Sequence, residues 1–165
     1  LTSDDVFAYA LGVVLDSEGG LSLDPRDRGN WDSGIIGKGN LKGTQYGISS
    51  ASYPHLDIAN LTREDAAAIY RSDYFDAIGA NNLPPALAVV AFDIAVNSGQ
   101  GRLRQWLQEG PQDAVSLSER RLEHYLSLST WPAYGKGWSR RVFRTLKAAQ
   151  MLEVRARAET ETLLS

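Results

Sequence analysis

The stretch ALAVVAFDIAVNS, residues 86–98, is apolar on nearly every side when wound at helical spacing. A helix without a polar face has to run through the middle of a domain, walled in by other elements. The sequence offers candidates for that wall. SLSERRLEHYLSL reads as an amphipathic helix, and the long stretch from Trp138 to about Leu163 carries Trp138, Val142, Thr145, Ala149 and Leu152 on one face. A chain of 165 residues suits one domain and can bury a real core without metal or disulfide staples. The expected fold class is mainly α, in a single domain over 1–165. GPQD near residue 110 marks a seam between a main part, 1–108, and a C-terminal helical region, 109–165.

Thr2 or Ser3 can cap a first helix, whose opening acids Asp4 and Asp5 suit the positive end of the helix dipole. Phe7, Leu11 and Val14 follow the i, i+4, i+7 spacing of a buried stripe, with Asp16 opposite and Gly19–Gly20 as the stop. From Leu21 to Gly47 glycine and turn residues dominate, which predicts an irregular lobe with at most a short hairpin and no helix. NLTREDAAAIYRSDYF then reads as a capped amphipathic helix, started by Asn60 or Thr62, with Ala66, Ile69, Tyr70 and Tyr74 turned inward. NNLPP breaks it.

Hydrophobic residues make up 43% and charged residues 22%, and no apolar run approaches the roughly 20 residues that span a bilayer, so the chain reads as soluble, with no membrane insertion. Without cysteine, disulfides and thiol catalysis are excluded. No secretory signal is visible at the acidic start. Residues 1–99 hold 6 basic and 13 acidic side chains, a net of −7, while residues 100–165 hold 11 and 7, a net of +4. A basic second half suits an anionic polymer such as nucleic acid or a bacterial wall, or is simply a solvated helix face. His55 and His124 stand 69 positions apart, in no ligand spacing. Arg26 and Arg28 interrupt any calcium-loop alternation between Asp24 and Asp32, and the GK of GIIGKGN is followed by glycine, which a P-loop does not allow. Neither a metal nor any other cofactor is expected.

The chemistry centres on DSEGGLSLDPRDRG. At about 100° per residue Glu18 shares the stripe of Phe7, Leu11 and Val14, so its carboxyl should face apolar surroundings at a helix C-terminus. Both effects disfavour its charged form. A free glutamate titrates near 4.3, and a general acid working near neutrality is better served by a value roughly two units higher, at a cost of about 2–3 kcal/mol. A glutamate turned outward, or paired with an arginine, is the plainer reading of this placement alone. Asp24 and Asp27 follow on a glycine-rich loop. Two carboxyls across a cleft are what glycosidic hydrolysis requires, one to protonate the leaving oxygen and one to stabilise the cationic sugar or activate water. Acids in turns are also routine caps.

EGG, DPRDRGN, GTQYGIS, NLTREDAAAIYRSDYF, LPPALAVVAFDIAVNSG and LQ together resemble the glycoside hydrolase family 108 muramidases of phages, prophages and toxin-export loci, over most of residues 3–108. RLEHYLSL and YGKGWSRRV look like the predicted peptidoglycan-binding region that accompanies those enzymes. The resemblance implies a lysozyme-like helical domain with a small irregular or β-hairpin lobe. It also implies cleavage of the β-1,4 bond between N-acetylmuramic acid and N-acetylglucosamine, with Glu18 as general acid. The spacing from Glu18 to Asp27, and the threonine before Gly-Ile in GTQYGI, are similar to the Glu, Asp and Thr of phage-type lysozymes. By that likeness Asp27 stabilises charge or activates water, and Thr44 positions the water. The chain departs from the family where NWDSGIIGKGNLKG intervenes before the threonine, which brings in Asp32 as a rival second acid; Asp24, before Pro25, reads as fixing the turn. The implied partner is the peptidoglycan glycan strand, bound by a monomer made in the host bacterial cytoplasm and acting at the periplasmic wall. No nucleic acid is expected.

Tyr46 can stack on a sugar ring or fill space beneath its loop. Asp93 and Asn97, four apart on the apolar helix, each need a hydrogen-bond partner if buried. The match to the family's FDxAVNSG stretch favours Asn97 near the cleft and Asp93 as a tie to the irregular lobe. Trp131, Tyr134 and Trp138, around a glycine-rich turn with Lys136, Arg140 and Arg141, mix rings and cations as a grip on a glycan with acidic stems would, although core packing is the favoured reading of Trp138. Three rivals to the muramidase reading stand: a lytic transglycosylase, a wall-binding or virion structural module without activity, and third a nucleic-acid binder suggested by the basic second half.

Overall fold

The all-round apolar stretch forms α3, Pro85–Ser98, in which every residue from Ala86 to Ala95 is buried. Pro85 at the first helical position has its φ preset and lacks only an N–H that no intrahelical carbonyl would accept. This is a computed structural model describing residues 1–16, 20–110 and 113–164. Among them the chain is mainly α-helical with one small antiparallel hairpin, as expected. It divides into two compact units, Leu1–Val13 with Arg71–Ser165, and Val14–Tyr70. Among the described residues no helix is long and apolar enough to cross a membrane.

In the larger unit α4 (Gln100–Glu109), α5 (Ala114–Leu126) and α6 (Trp131–Leu164) pack against α3 or each other. Leu103 and Trp106 of α4, Leu117 and Tyr125 of α5, and Val142, Ala149 and Leu152 of α6 are buried. Asp113 caps α5, accepting from the amides of Val115 (2.8 Å) and Ser116 (2.9 Å). Pro111 and Gln112 of the GPQD seam lie outside the described residues.

Asp93 is 1% exposed in the middle of α3. It does not tie the irregular lobe, as the sequence suggests; its partners come from α5 and α6. Arg121 Nη1 donates to one carboxylate oxygen at 2.6 Å, Arg141 Nη2 to the other at 2.8 Å, and the Thr145 hydroxyl adds a bond of 3.3 Å. Burial alone would raise the Asp93 pKa, but the two guanidinium charges and their hydrogen bonds outweigh it and hold the carboxyl below its usual value. One carboxylate thus pins three helices together. Trp131, Tyr134 and Trp138 also differ from expectation, lying in the first turns of α6 and not around a turn. Gly135 is accommodated inside that helix because the Trp131 ring covers it: a Cβ there would sit 2.5 Å from the ring.

The first helix, α1, runs Ser3–Leu15. Its buried stripe is Val6, Ala10, Leu11, Val14 and Leu15. Phe7 lies at the margin of that stripe, half-buried, with its ring edge-on to Phe75 (5.2 Å) and Phe92 (6.0 Å) and under the Arg71 guanidinium at 5.0 Å. The expected helix after NLT is two elements: α2, Arg63–Tyr70, and a π-helical turn, Arg71–Asp76. Thr62 and Asp65 form a reciprocal cap, hydroxyl to the Asp65 amide and carboxylate to the Thr62 amide. The wider turn adds a residue to the repeat, so Phe75, five after Tyr70, is buried where the α spacing predicts Tyr74; Tyr74 is only half-buried.

Candidate functional site

Ser17, Glu18 and Gly19 lie outside the described residues, so the expected general acid has no described geometry. Asp24, Asp27, Asp32, Thr44 and Tyr46 lie in the smaller unit, several of them tied to a buried asparagine that sequence reasoning passed over, while Asn97 lies in the larger one. Asn30 is 0% exposed and ends a single 3-10 turn, Arg28–Asn30, within the segment where no helix was expected. Its amide nitrogen donates to the carbonyl of Asp24 at 3.0 Å and to the Ser22 hydroxyl at 3.3 Å. Its side-chain oxygen must therefore accept, and it accepts from the Thr44 hydroxyl at 2.7 Å. Its backbone N–H donates to the Asp27 carbonyl at 3.1 Å, and its carbonyl accepts from Lys42 (2.9 Å) and Gly43 (3.0 Å). The turn bearing Asp27 and the strand bearing Thr44 are thus joined through one side chain. A buried polar residue in a loop, flanked by glycines and aspartates, is the signal that marks such a hub.

The expected short hairpin is β1, Thr44–Gln45, paired with β2, Ile48–Ser49, leaving Tyr46–Gly47 as a two-residue turn. LSLD contributes one bridge to it, Ser22 to Thr44, with bonds of 2.8 and 3.0 Å. The turn needs positive φ at both positions, found at +51° for Tyr46 and +76° for Gly47. A left-handed tyrosine is strained by about 1–2 kcal/mol. The Tyr70 hydroxyl holds the turn by donating to the Tyr46 carbonyl at 2.9 Å, and the Tyr46 ring is left half-buried.

The three aspartates differ in what their oxygens do. Both oxygens of Asp24 are taken by the Arg26 guanidinium (3.0 and 2.9 Å), and the Arg26 amide adds a bond of 2.9 Å. These side-chain and backbone bonds lower its pKa to about 2, so it fixes the turn as an ion. Asp32 closes the 31–43 insert, accepting from the Asn40 backbone (2.9 Å) and Asn40 side chain (3.0 Å), with Lys42 at 3.6 Å; these contacts hold its carboxyl below the ordinary value. Asp27 is exposed, caps its 3-10 turn through one oxygen on the Gly29 amide at 2.8 Å, and its other oxygen bonds nothing among the described residues.

Gly43 holds this arrangement at its tightest point. At φ +92°, a Cβ would lie 2.5 Å from the Ser22 carbonyl and 2.8 Å from Leu23. Gly43→Ala will destabilise the chain by about 2 kcal/mol or more, read by denaturant unfolding, because both the backbone conformation and a backbone contact resist the methyl. Asn97 lies in the other unit, exposed near the end of α3, where its amide donates to the Tyr125 hydroxyl at 3.1 Å; its carbonyl oxygen is unbonded among the described residues. Arg141 is spent on Asp93, while Tyr134 stands open and Trp138 stacks on Tyr125 at 4.9 Å. Among the described residues no group of His, Cys, Asp and Glu could hold a metal ion.

The sequence matches glycosyl hydrolase 108 over residues 11–99. Among curated proteins none matches. A solved structure of SagA from Brucella abortus is 27% identical, with a TM-score of 0.70 over 90% of this chain and 96% of that one. The matched residues cover more than half of the chain and include the whole lobe built on Asn30 as well as α3, so the chain belongs to the glycosyl hydrolase 108 family and is a glycoside hydrolase.

Proposed function

We propose that the chain is a peptidoglycan hydrolase, an N-acetylmuramidase that cuts the β-1,4 bond between N-acetylmuramic acid and N-acetylglucosamine. Glu18 gives its proton to the bridging oxygen as the bond from C1 breaks. A water attacks C1, passing a proton to Asp27. Thr44 orients that water. Its own hydrogen is committed to Asn30, so its oxygen lone pairs are left to accept one from the water. The observation that carries this reading is that one oxygen of Asp27, in the lobe of a glycosyl hydrolase, bonds nothing among the described residues, where Asp24 and Asp32 have both oxygens engaged. Tyr46 offers a ring for stacking on a sugar, and the side-chain oxygen of Asn97, unbonded among the described residues, offers an acceptor for a sugar hydroxyl. The C-terminal region, 109–165, serves as a wall-binding part through the open ring of Tyr134. The enzyme acts as a monomer on the periplasmic wall of a bacterium, in phage or prophage lysis or entry. Mass spectrometry of digested wall tests the reaction: reducing muramic ends are expected, and 1,6-anhydro ends would reject hydrolysis in favour of a lytic transglycosylase.

A further inference from the structure

The small lobe carries a groove that the reaction proposed above does not use. On either side of the isolated bridge residue Ser22, Leu21 and Leu23 lie over Gly43, 3.2 and 2.8 Å from where a Cβ there would stand. Beside Leu23 opens a groove of about 420 Å³, within the span of roughly 300–1,000 Å³ usual for small-ligand sites. Its lining includes Leu23, Leu41, Leu56 and the fully buried Ile58, together with Lys42 and His55. Leu23 is 49% and Leu41 37% exposed, although the backbone under both is bridged, Leu41 directly to Trp31 and Leu23 next to the Ser22 bridge. These leucines face water in a firm setting, and a ligand with small apolar groups would remove them from it.

The polar rim narrows the ligand class. Lys42 donates to the Pro54 carbonyl and forms an ion pair of 3.6 Å with Asp32, too long for a hydrogen bond, so two of its three N–H groups make no hydrogen bond among the described residues. His55 is exposed beside it. Asp57, also at the edge, is engaged by the Asn60 amide at 2.9 Å. An apolar floor with two nitrogen donors suits a short peptide bearing methyl groups and carboxylates.

We propose that this groove binds the peptide stem of peptidoglycan, alanyl methyls against the leucines and stem carboxylates at Lys42 and His55. The inference rests on the peptidoglycan reading above and names which part of that polymer the lobe recognises beyond the sugars. Titration of the full chain with the free stem tetrapeptide, followed by amide NMR, is expected to give saturable shifts at Leu23, Leu41, His55 and Leu56. Leu23→Asp, at an exposed position, should keep the remaining spectrum and weaken binding about tenfold, ~1.4 kcal/mol. With stem-bearing oligosaccharides and the same strands stripped by an amidase, the wild type should favour the former about tenfold through KM. Leu23→Asp should erase the preference and leave the stripped-strand rate unchanged. Absence of shifts at these residues at about 10 mM peptide, or equal wild-type kinetics on the two substrates, would overturn the proposal. If the peptide titrates the groove while neither strand is cut, the muramidase reading fails and stem recognition stands.

Discussion

Glu18→Gln will fold, bind wall and fail to clear it, with turnover lower by about 10²–10⁴, the contribution typical of a positioned general acid. Glutamine keeps the size and hydrogen-bonding capacity of the side chain and removes the transferable proton, so the loss should appear in kcat with little change in KM. The measurement is turbidity clearing of purified wall, paired with co-sedimentation to follow binding. Clearing at the wild-type rate would remove the mechanism. Loss of clearing with binding intact removes the reading of a non-catalytic wall-binding or virion module.

Asp93→Asn will produce the largest loss of stability, about 3–5 kcal/mol, because it leaves Arg121 and Arg141 without the charge that compensates their burial. Arg121 is 1% exposed; its Nε donates to the Tyr125 hydroxyl at 2.9 Å and its Nη2 has no partner among the described residues, so Asp93 is the carboxylate among them that balances its charge. The effect has a pH signature. The folded-state pKa of Asp93 is depressed, so its contribution is complete above the ordinary aspartate value, about 3.9, and is lost as pH falls through the lower folded value. Urea unfolding at neutral pH should therefore show the full difference between wild type and Asp93→Asn. The gap should narrow below about pH 4 as the wild-type carboxyl takes up its proton. A difference that does not change with pH would mean that the ion pairs are not its source.

These two positions show how unevenly structure is legible in a sequence. The acidic residue in α3 announces a buried polar group that needs partners, and the sequence says no more. Its partners are 28 and 48 residues away along the chain, on α5 and α6, and nothing in the local pattern distinguishes Arg121 and Arg141 from the other cations of the basic half. The π turn after α2 is equally hidden. Period and propensity predict an unbroken helix, and the aromatic packing of Phe75 on Phe7 and Phe92 accompanies the extra residue. In the lobe, glycines at positive φ were readable as turns, yet three aspartates of similar sequence context became an arginine-paired turn anchor, a loop clamp and a cap with one oxygen unbonded among the described residues. That sorting depends on which amides fold back within reach, a matter of a few ångströms.

Local physics determined much of this protein. An apolar segment with no polar face had to become the buried centre, Pro85 could start its helix, whereas α2 and its π turn already end at Asp76, short of the prolines, and the motifs from EGG to FDIAVNSG carried a resemblance to the glycosidase family. Tertiary structure alone decided that Asn30 links the Asp27 turn to Thr44, and that Asp93 belongs to the helices. The reason is that helix periodicity and turn preference are carried by neighbours in the chain, whereas hydrogen-bond and ion-pair partners are chosen among groups brought together only after the chain has packed.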